Sequence, residues 1–226
     1  MGSLDEHLSA LSHYLRPRRN RNRPNSAKKT VLLTGFGPFR DVVCNPSWEA
    51  VKPLQGVELS GCTVETALLP VEYEGQHERV ATLWRQHSPV LCVHVGVGRK
   101  GAFALETECR VGPYRQKDAL GKHCGSSGEC IVDSTPCLRT RCPVESVLAV
   151  LQAEEGALAV RASSDAGLYL CEFTYYISSA RREAPVIFVH VPPVGHPYTQ
   201  AQINATLERI IRTLLTELNN DGQQCN

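Results

Sequence analysis

The chain has 226 residues, ten of them cysteine, and a formal net charge of +1. Hydrophobic residues make up 42% and charged residues 21%, ordinary values for a soluble globular protein with enough chain for one full core. The near-zero charge argues against a polyanion binder, and no apolar run is long enough to span a bilayer, so neither nucleic acid nor membrane is expected as a partner.

In chain order, Leu4, Leu8, Leu11 and Leu15 make a helical stripe. Asp5 and Glu6 within it argue against a mitochondrial presequence. Residues 16–29 are basic and contain prolines, a composition that buries little and reads as a solvated, disordered extension. Weak contact with an anionic surface or nucleic acid through this tail is the one polyanion contact the sequence leaves open. No basic segment followed by an apolar one marks a secretory signal, so free thiols and a cytoplasmic location are expected. The chain divides into a 1–29 extension and a 30–226 α/β domain.

Val31 to Thr34 is an apolar run suited to a strand buried on both faces. It ends in Gly35-Phe36-Gly37-Pro38-Phe39, where two aromatics in a turn are either loop packing or walls for a small planar ligand. Asn45 and Pro46 suit a helix cap and first turn. Thr63–Leu69 reads as a strand, 72–87 as a helix with Val80, Leu83 and Trp84 on one face, and Val90–Val97 as a third strand. Apolar strands separated by a helix indicate a largely parallel sheet covered by helices. The glycines at 96, 98 and 101 do not make a dinucleotide fingerprint, because no helical stripe follows them. Residues 110–142 are irregular. Cys124, Cys130, Cys137 and Cys142 there are spaced x5, x6 and x4, unlike paired zinc knuckles, so the segment reads as a long surface loop with reduced thiols, in the place of a lid. A helix at 143–155, a strand at 157–162, a strand at Val186–Val191 and a helix from Thr199 to Asn219 complete the domain.

Between the last two strands, a small-residue turn at Ser163–Gly167 leads into an apolar stripe of Leu168, Cys171 and Tyr175, one face of a helix. A cysteine at the start of a helix lies at the positive end of the helix dipole, which suits a thiolate. His190, near the end of the following strand, is a plausible base for it. Buried core roles for both residues are the competing reading.

Several blocks in order settle on one resemblance: Thr34-Gly35-Phe36-Gly37-Pro38-Phe39, Asn45-Pro46-Ser47-Trp48, Pro70-Val71-Glu72-Tyr73, His94-Val95-Gly96-Val97, Ser164 to Cys171, and Phe188-Val189-His190-Val191-Pro192-Pro193. Together they closely resemble the pyroglutamyl-peptidase I family in its animal form. The resemblance implies a three-layer α/β/α globule with a largely parallel central sheet. It implies a cysteine exopeptidase that hydrolyses the N-terminal pyroglutamyl residue from peptides, its substrates, through an acyl-enzyme, with no metal or cofactor. Cys171 matches the nucleophile and His190 the general base. Phe36 and Phe39 match the aromatics around the pyroglutamyl ring.

The resemblance also places a catalytic glutamate after the His94 strand. An ungapped count from Gly96 lands on Thr107, between Glu106 and Glu108. A one-residue slip in the glycine loop restores Glu106, which is the expected third member of a Cys-His-Glu set. In an extended chain one residue reverses the facing, so Thr107 and Glu108 stay as alternatives. If no carboxylate faces His190, the expectation becomes a catalytically impaired relative that binds N-terminally blocked peptides without turnover. The family's loop after the aromatic pair has glycine where this chain has Arg40, and its glycine-rich loop is altered here to Gly98-Arg99-Lys100-Gly101, so Arg40, Arg99 or Lys100 is a candidate to narrow or charge the substrate mouth.

Overall fold

Alternating side chains along three apolar runs assign two opposite faces to one sheet. In a computed structural model that describes residues 28–39, 42–125, 135–153, 156 and 158–224, those runs are strands. The strands are β1 (Lys29–Phe36), β2 (Glu58–Leu59), β3 (Cys62–Leu69), β4 (Leu91–Val97), β5 (Phe103–Glu106), β6 (Glu108–Arg110), β7 (Cys137–Arg139), β8 (Val160–Ser163) and β9 (Val186–Val191). Seven of them form a sheet in the order β2-β3-β1-β4-β9-β5-β8. The pairs β3–β1, β1–β4, β4–β9 and β5–β8 are parallel; β5–β9 and β2–β3 are antiparallel. The expected α/β fold with a largely parallel sheet is the one observed.

On one face, Val31, Leu33, Val93, Val95, Phe103, Leu105, Ile187 and Val189 point into a core shared with three helices. These are α1 (Pro46–Val51), α3 (Val144–Gln152) and α5 (Gln200–Gln224). On the other, Leu32, Cys92, Val186 and Phe188 meet α2 (Gln76–His87) and α4 (Leu170–Ser179). Two apolar layers, one on each face, make the three-layer architecture. Asn45 caps α1 as expected: its side-chain oxygen accepts the Ser47 N–H at 3.1 Å, and Pro46 occupies the first turn.

Several boundaries differ from the sequence reading: α5 runs on to Gln224 rather than Asn219, and β8 is Val160–Ser163 rather than 157–162. Helix α2 starts at Gln76 rather than 72, because Gly75 at φ +74° breaks the backbone just ahead of it. Helix α4 starts at Leu170, so Leu168 belongs to the turn, at φ +47°. The segment read as irregular at 110–142 contains β7, which pairs with β6 just ahead of it as a small antiparallel sheet, Cys109 opposite Leu138. Cys124 is disulfide-bonded rather than a free thiol, while Cys137 and Cys142 are free. Among the described residues no group of His, Cys, Asp and Glu could hold a metal ion, and no helix is long and apolar enough to cross a membrane. The stripe and basic stretch ahead of residue 28, Arg40, Cys130 and Glu155 lie outside the described residues.

Candidate active site

The C-terminal ends of β4 and β9 lie level with the start of β5 and β8, which run the opposite way, and the first turn of α4 sits over them. The chain leaves β8 through Gly167 at φ +96° and Leu168 at φ +47°, a left-handed pair that costs strain at the leucine. Glu172 holds that turn. It is fully buried, its Oε2 accepts the Leu168 N–H at 2.6 Å, and its Oε1 accepts the Arg110 N–H and Nε at 2.9 Å each. The Arg110 guanidinium also donates to Asp165 Oδ1 at 2.6 Å, tying the turn to the helix. The Arg110 pKa is raised further above its ordinary value, first by its hydrogen bonds to Glu172.

Cys171 follows in the first turn of α4. The first intrahelical bond of that helix runs from the Phe173 N–H to the Tyr169 carbonyl, so the amides of Leu170, Cys171 and Glu172 precede the ladder. Two glycines make room beneath. A Cβ at Gly96 would stand 2.9 Å from Cys171 Sγ and 2.7 Å from Phe188 Cζ. One at Gly98 would stand 2.7 Å from His190 Cβ. Either contact is closer than real side chains tolerate, so these positions fix how deeply the cysteine and histidine sit.

His190 Nδ1 and Glu106 Oε1 lie 2.7 Å apart. Glu106 is 1% exposed, and its backbone carbonyl accepts the Tyr175 hydroxyl at 2.9 Å. Register explains the facing. Ala104 pairs with His190 and Glu106 with Phe188, so both β5 residues share the face that carries the imidazole. Thr107 turns away, donating its hydroxyl to the Ser163 carbonyl at 3.0 Å, and Glu108 sits 3.8 Å from Arg139. Of the three neighbours, Glu106 is the one at the ring, and the arrangement that pointed to an impaired relative is not present.

The electrostatics separate two histidines on adjacent strands. Burial alone pushes His94 down to about 3, and its ring is held neutral 2.7 Å from the Thr34 hydroxyl. At His190 burial also opposes the charge, but hydrogen bonding with Cys171 and Glu106, and their negative charge, outweigh it. The His190 pKa rises to about 9, so the ring is an imidazolium at neutral pH.

Phe36 is buried against Phe188, ring centroids 6.4 Å apart, and Phe188 in turn lies 4.7 Å from the His190 ring. Phe39 is half-buried on the same cluster. Neither lines the cavity of about 300 Å³ on the other side of His190, which Cys171, His190, Glu106, Ala104, Arg99 and Arg161 share with its rim. Arg99 reaches the site as expected of a residue at the mouth. Sequence reasoning missed Arg110, Glu172 and Arg161; a buried glutamate one residue after the cysteine was the signal available for the first two.

The comparisons with known proteins bear on this geometry. The pyroglutamyl peptidase family model matches residues 29–215. The chain belongs to the pyroglutamyl peptidase family. Pyroglutamyl-peptidase 1 of Rattus norvegicus is 37% identical over 191 residues, covering 83% of this chain and 90% of the relative. The human protein of that name is 36% identical over the same span, and a human pyroglutamyl-peptidase 1-like protein is 31% identical over 182 residues, 74% of this chain and 89% of its own. The pyroglutamyl peptidase I structure from Bacillus amyloliquefaciens superposes with a TM-score of 0.74 at 20% identity, over 82% of this chain and 96% of that one. A Pyrococcus furiosus pyrrolidone carboxyl peptidase variant gives 0.76 at 23%, over 84% and 99%. As a member of the pyroglutamyl peptidase family the chain is a peptidase, and the solved structures share its fold.

Proposed function

We propose that the chain is a cysteine exopeptidase that removes the pyroglutamyl residue from the N-terminus of peptides, with Cys171, His190 and Glu106 as its catalytic set. The observation that carries this reading is the 2.7 Å contact of His190 with a buried Glu106 carboxylate, in a cavity whose lining also includes Cys171.

The chemistry follows from those groups. The Cys171 thiolate attacks the carbonyl carbon of the pyroglutamyl residue. The oxyanion that develops lies at the start of α4, where amides ahead of the helical ladder and the helix dipole favour negative charge. The His190 imidazolium then gives its proton from Nε2 to the departing amine, while Glu106 keeps Nδ1–H bonded and the ring in place. The thioester left on Cys171 is attacked by a water whose proton passes to His190, releasing pyroglutamate and the thiolate. Phe36 and Phe39 supply apolar walls for a small, uncharged lactam ring.

A chromogenic or fluorogenic pyroglutamyl amide tests this. The protein is expected to turn it over, and Cys171→Ala to lose about 10³-fold or more in kcat/KM with the fold intact. A folded wild-type protein that leaves the reporter uncleaved, or an alanine variant as fast as wild type, would sink the reading.

A further inference from the structure

One row of side chains crosses the catalytic face of the sheet. Gly96 pairs with His190, His190 with Ala104, and Ala104 with Arg161. Paired residues point to the same face, so these four stand side by side over β4, β9, β5 and β8. Cys171 Sγ lies over Gly96. Phe36 is on the β1 side of that point, and Arg161 is two strands beyond His190 on the other. Ala104 between them is too small to block the way, and the cavity of about 300 Å³ runs along that floor.

Charge on this floor is unevenly matched. The Glu106 carboxylate is committed to His190, and Glu172 and Asp165 are both held by Arg110. Arg99, its side chain 82% exposed, approaches Asp165 at 3.8 Å and no other carboxylate among the described residues. Arg161 is exposed, lines the cavity, and makes no hydrogen bond or ion pair among the described residues. Among the described residues, the far end of the cavity therefore presents a guanidinium without a carboxylate partner.

We propose that Arg161, supported by Arg99, binds a carboxylate on the departing peptide within the first two or three residues after the scissile bond. The inference rests on the reading of Cys171 and His190 as the hydrolytic pair, with the pyroglutamyl ring on the Phe36 side and the rest of the peptide over Ala104. The dimensions agree. Two strand spacings separate the His190 and Arg161 backbones, about 10 Å. An extended peptide advances roughly 3.3 Å per residue, so its second or third residue reaches the guanidinium. Arg is suited to the task because its planar fork meets a carboxylate with two parallel bonds. Such a carboxylate has two sources, an acidic side chain or the free C-terminus of a short peptide.

Paired peptides separate the sources: pyroglutamyl-Ala-Glu-amide against pyroglutamyl-Ala-Gln-amide, and pyroglutamyl-Ala-Ala with a free terminus against its amide. Each pair is measured twice, as kcat/KM on wild type and as Kd by calorimetry on Cys171→Ala. The carboxylate peptide of at least one pair is expected to be favoured about five- to tenfold, less so in high salt. In Arg161→Gln the ratio falls to about one, and in Arg99→Gln it falls part of the way. Ratios near one in both pairs on the parent proteins, or a preference that survives Arg161→Gln in a protein of unchanged melting temperature, would overturn the inference. Absence of turnover with the Kd ratio intact would instead remove the peptidase reading and leave the carboxylate site standing.

Discussion

At the residue scale, the site turns on which side of a short strand one carboxylate falls. Burial opposes the charge on His190, but Cys171 first and then Glu106 outweigh it, so that the His190 pKa rises from its ordinary 6.5 to about 9. The sign of the linkage follows. Stability contributed by the charged ring is fully present below about pH 6.5, and is lost as pH rises through 9. In the proposed mechanism the same proton goes to the departing amine, so kcat/KM is expected to fall on the alkaline side near pH 9. Glu106→Gln removes the charge and keeps the shape. It is expected to lower kcat about 10²- to 10⁴-fold and move the alkaline limb toward acid. Thr107→Val, whose hydroxyl serves the Ser163 carbonyl, should leave the limb where it is. A pH–rate profile of the two variants decides the matter; a limb that moves equally in both would remove Glu106 from its role. Cys171 and His190 are legible as a candidate pair from the sequence because each stands in a local pattern, a small-residue turn before a helix and a histidine closing an apolar strand. The glutamate is not, because counting through a glycine loop carries no register. Pairing of β5 with β9 supplies it.

At the scale of elements, helix α4 presents Cys171 only because the turn before it is held in a conformation leucine disfavours. Glu172 accepts from Leu168, and Arg110 joins Glu172 to Asp165 across 62 and 55 residues of chain. Arg110→Ala leaves a fully buried carboxylate with its main cation gone, at an expected cost of about 2–3 kcal/mol after allowing for the part-exposed arginine. It also frees the turn. Arg110 touches no reacting atom, so it is a positioning residue: kcat should drop about tenfold or more with KM little changed, and Arg110→Lys should recover part of kcat. Denaturant melts alongside steady-state kinetics check both halves. Loss of stability with kcat per folded molecule unchanged would make the clamp structural only. No sequence pattern joins residue 110 to residue 172, and this is the part of the site that reading the chain could not reach. The same limit explains α4 itself. The stripe Leu168, Cys171, Tyr175 runs on through the turn by composition, while the backbone at Leu168 is left-handed and cannot be helical. Strand β5, four residues between a glycine loop and Thr107, is too short for its alternation to stand out.

Across the whole molecule, the two faces of the sheet divide the work. The face with the candidate site carries Cys171, His190 and Glu106 among aromatic packing from α2 and α4. The opposite face carries the larger apolar core and is covered by α1, α3 and α5, and in α5 Ile203, Leu207, Ile210, Ile211 and Leu214 are all fully buried. That stripe was readable because a 25-residue helix repeats its pattern over many turns. Its function is to keep the strands in register, and register is what aligns Gly96, His190, Ala104 and Arg161. Truncating one side chain of this stripe should therefore act on stability and not on chemistry until the molecule unfolds. Ile211→Ala removes a fully buried side chain on the far side of the sheet from His190. It is expected to cost about 2–5 kcal/mol. The midpoint of denaturation should fall accordingly, while kcat/KM per folded molecule stays within about twofold of wild type, since well-separated sites act almost independently. A large loss of kcat/KM well below the new midpoint would mean that the α5 face sets the active-site geometry directly, through the strands it packs, and not only by keeping them folded.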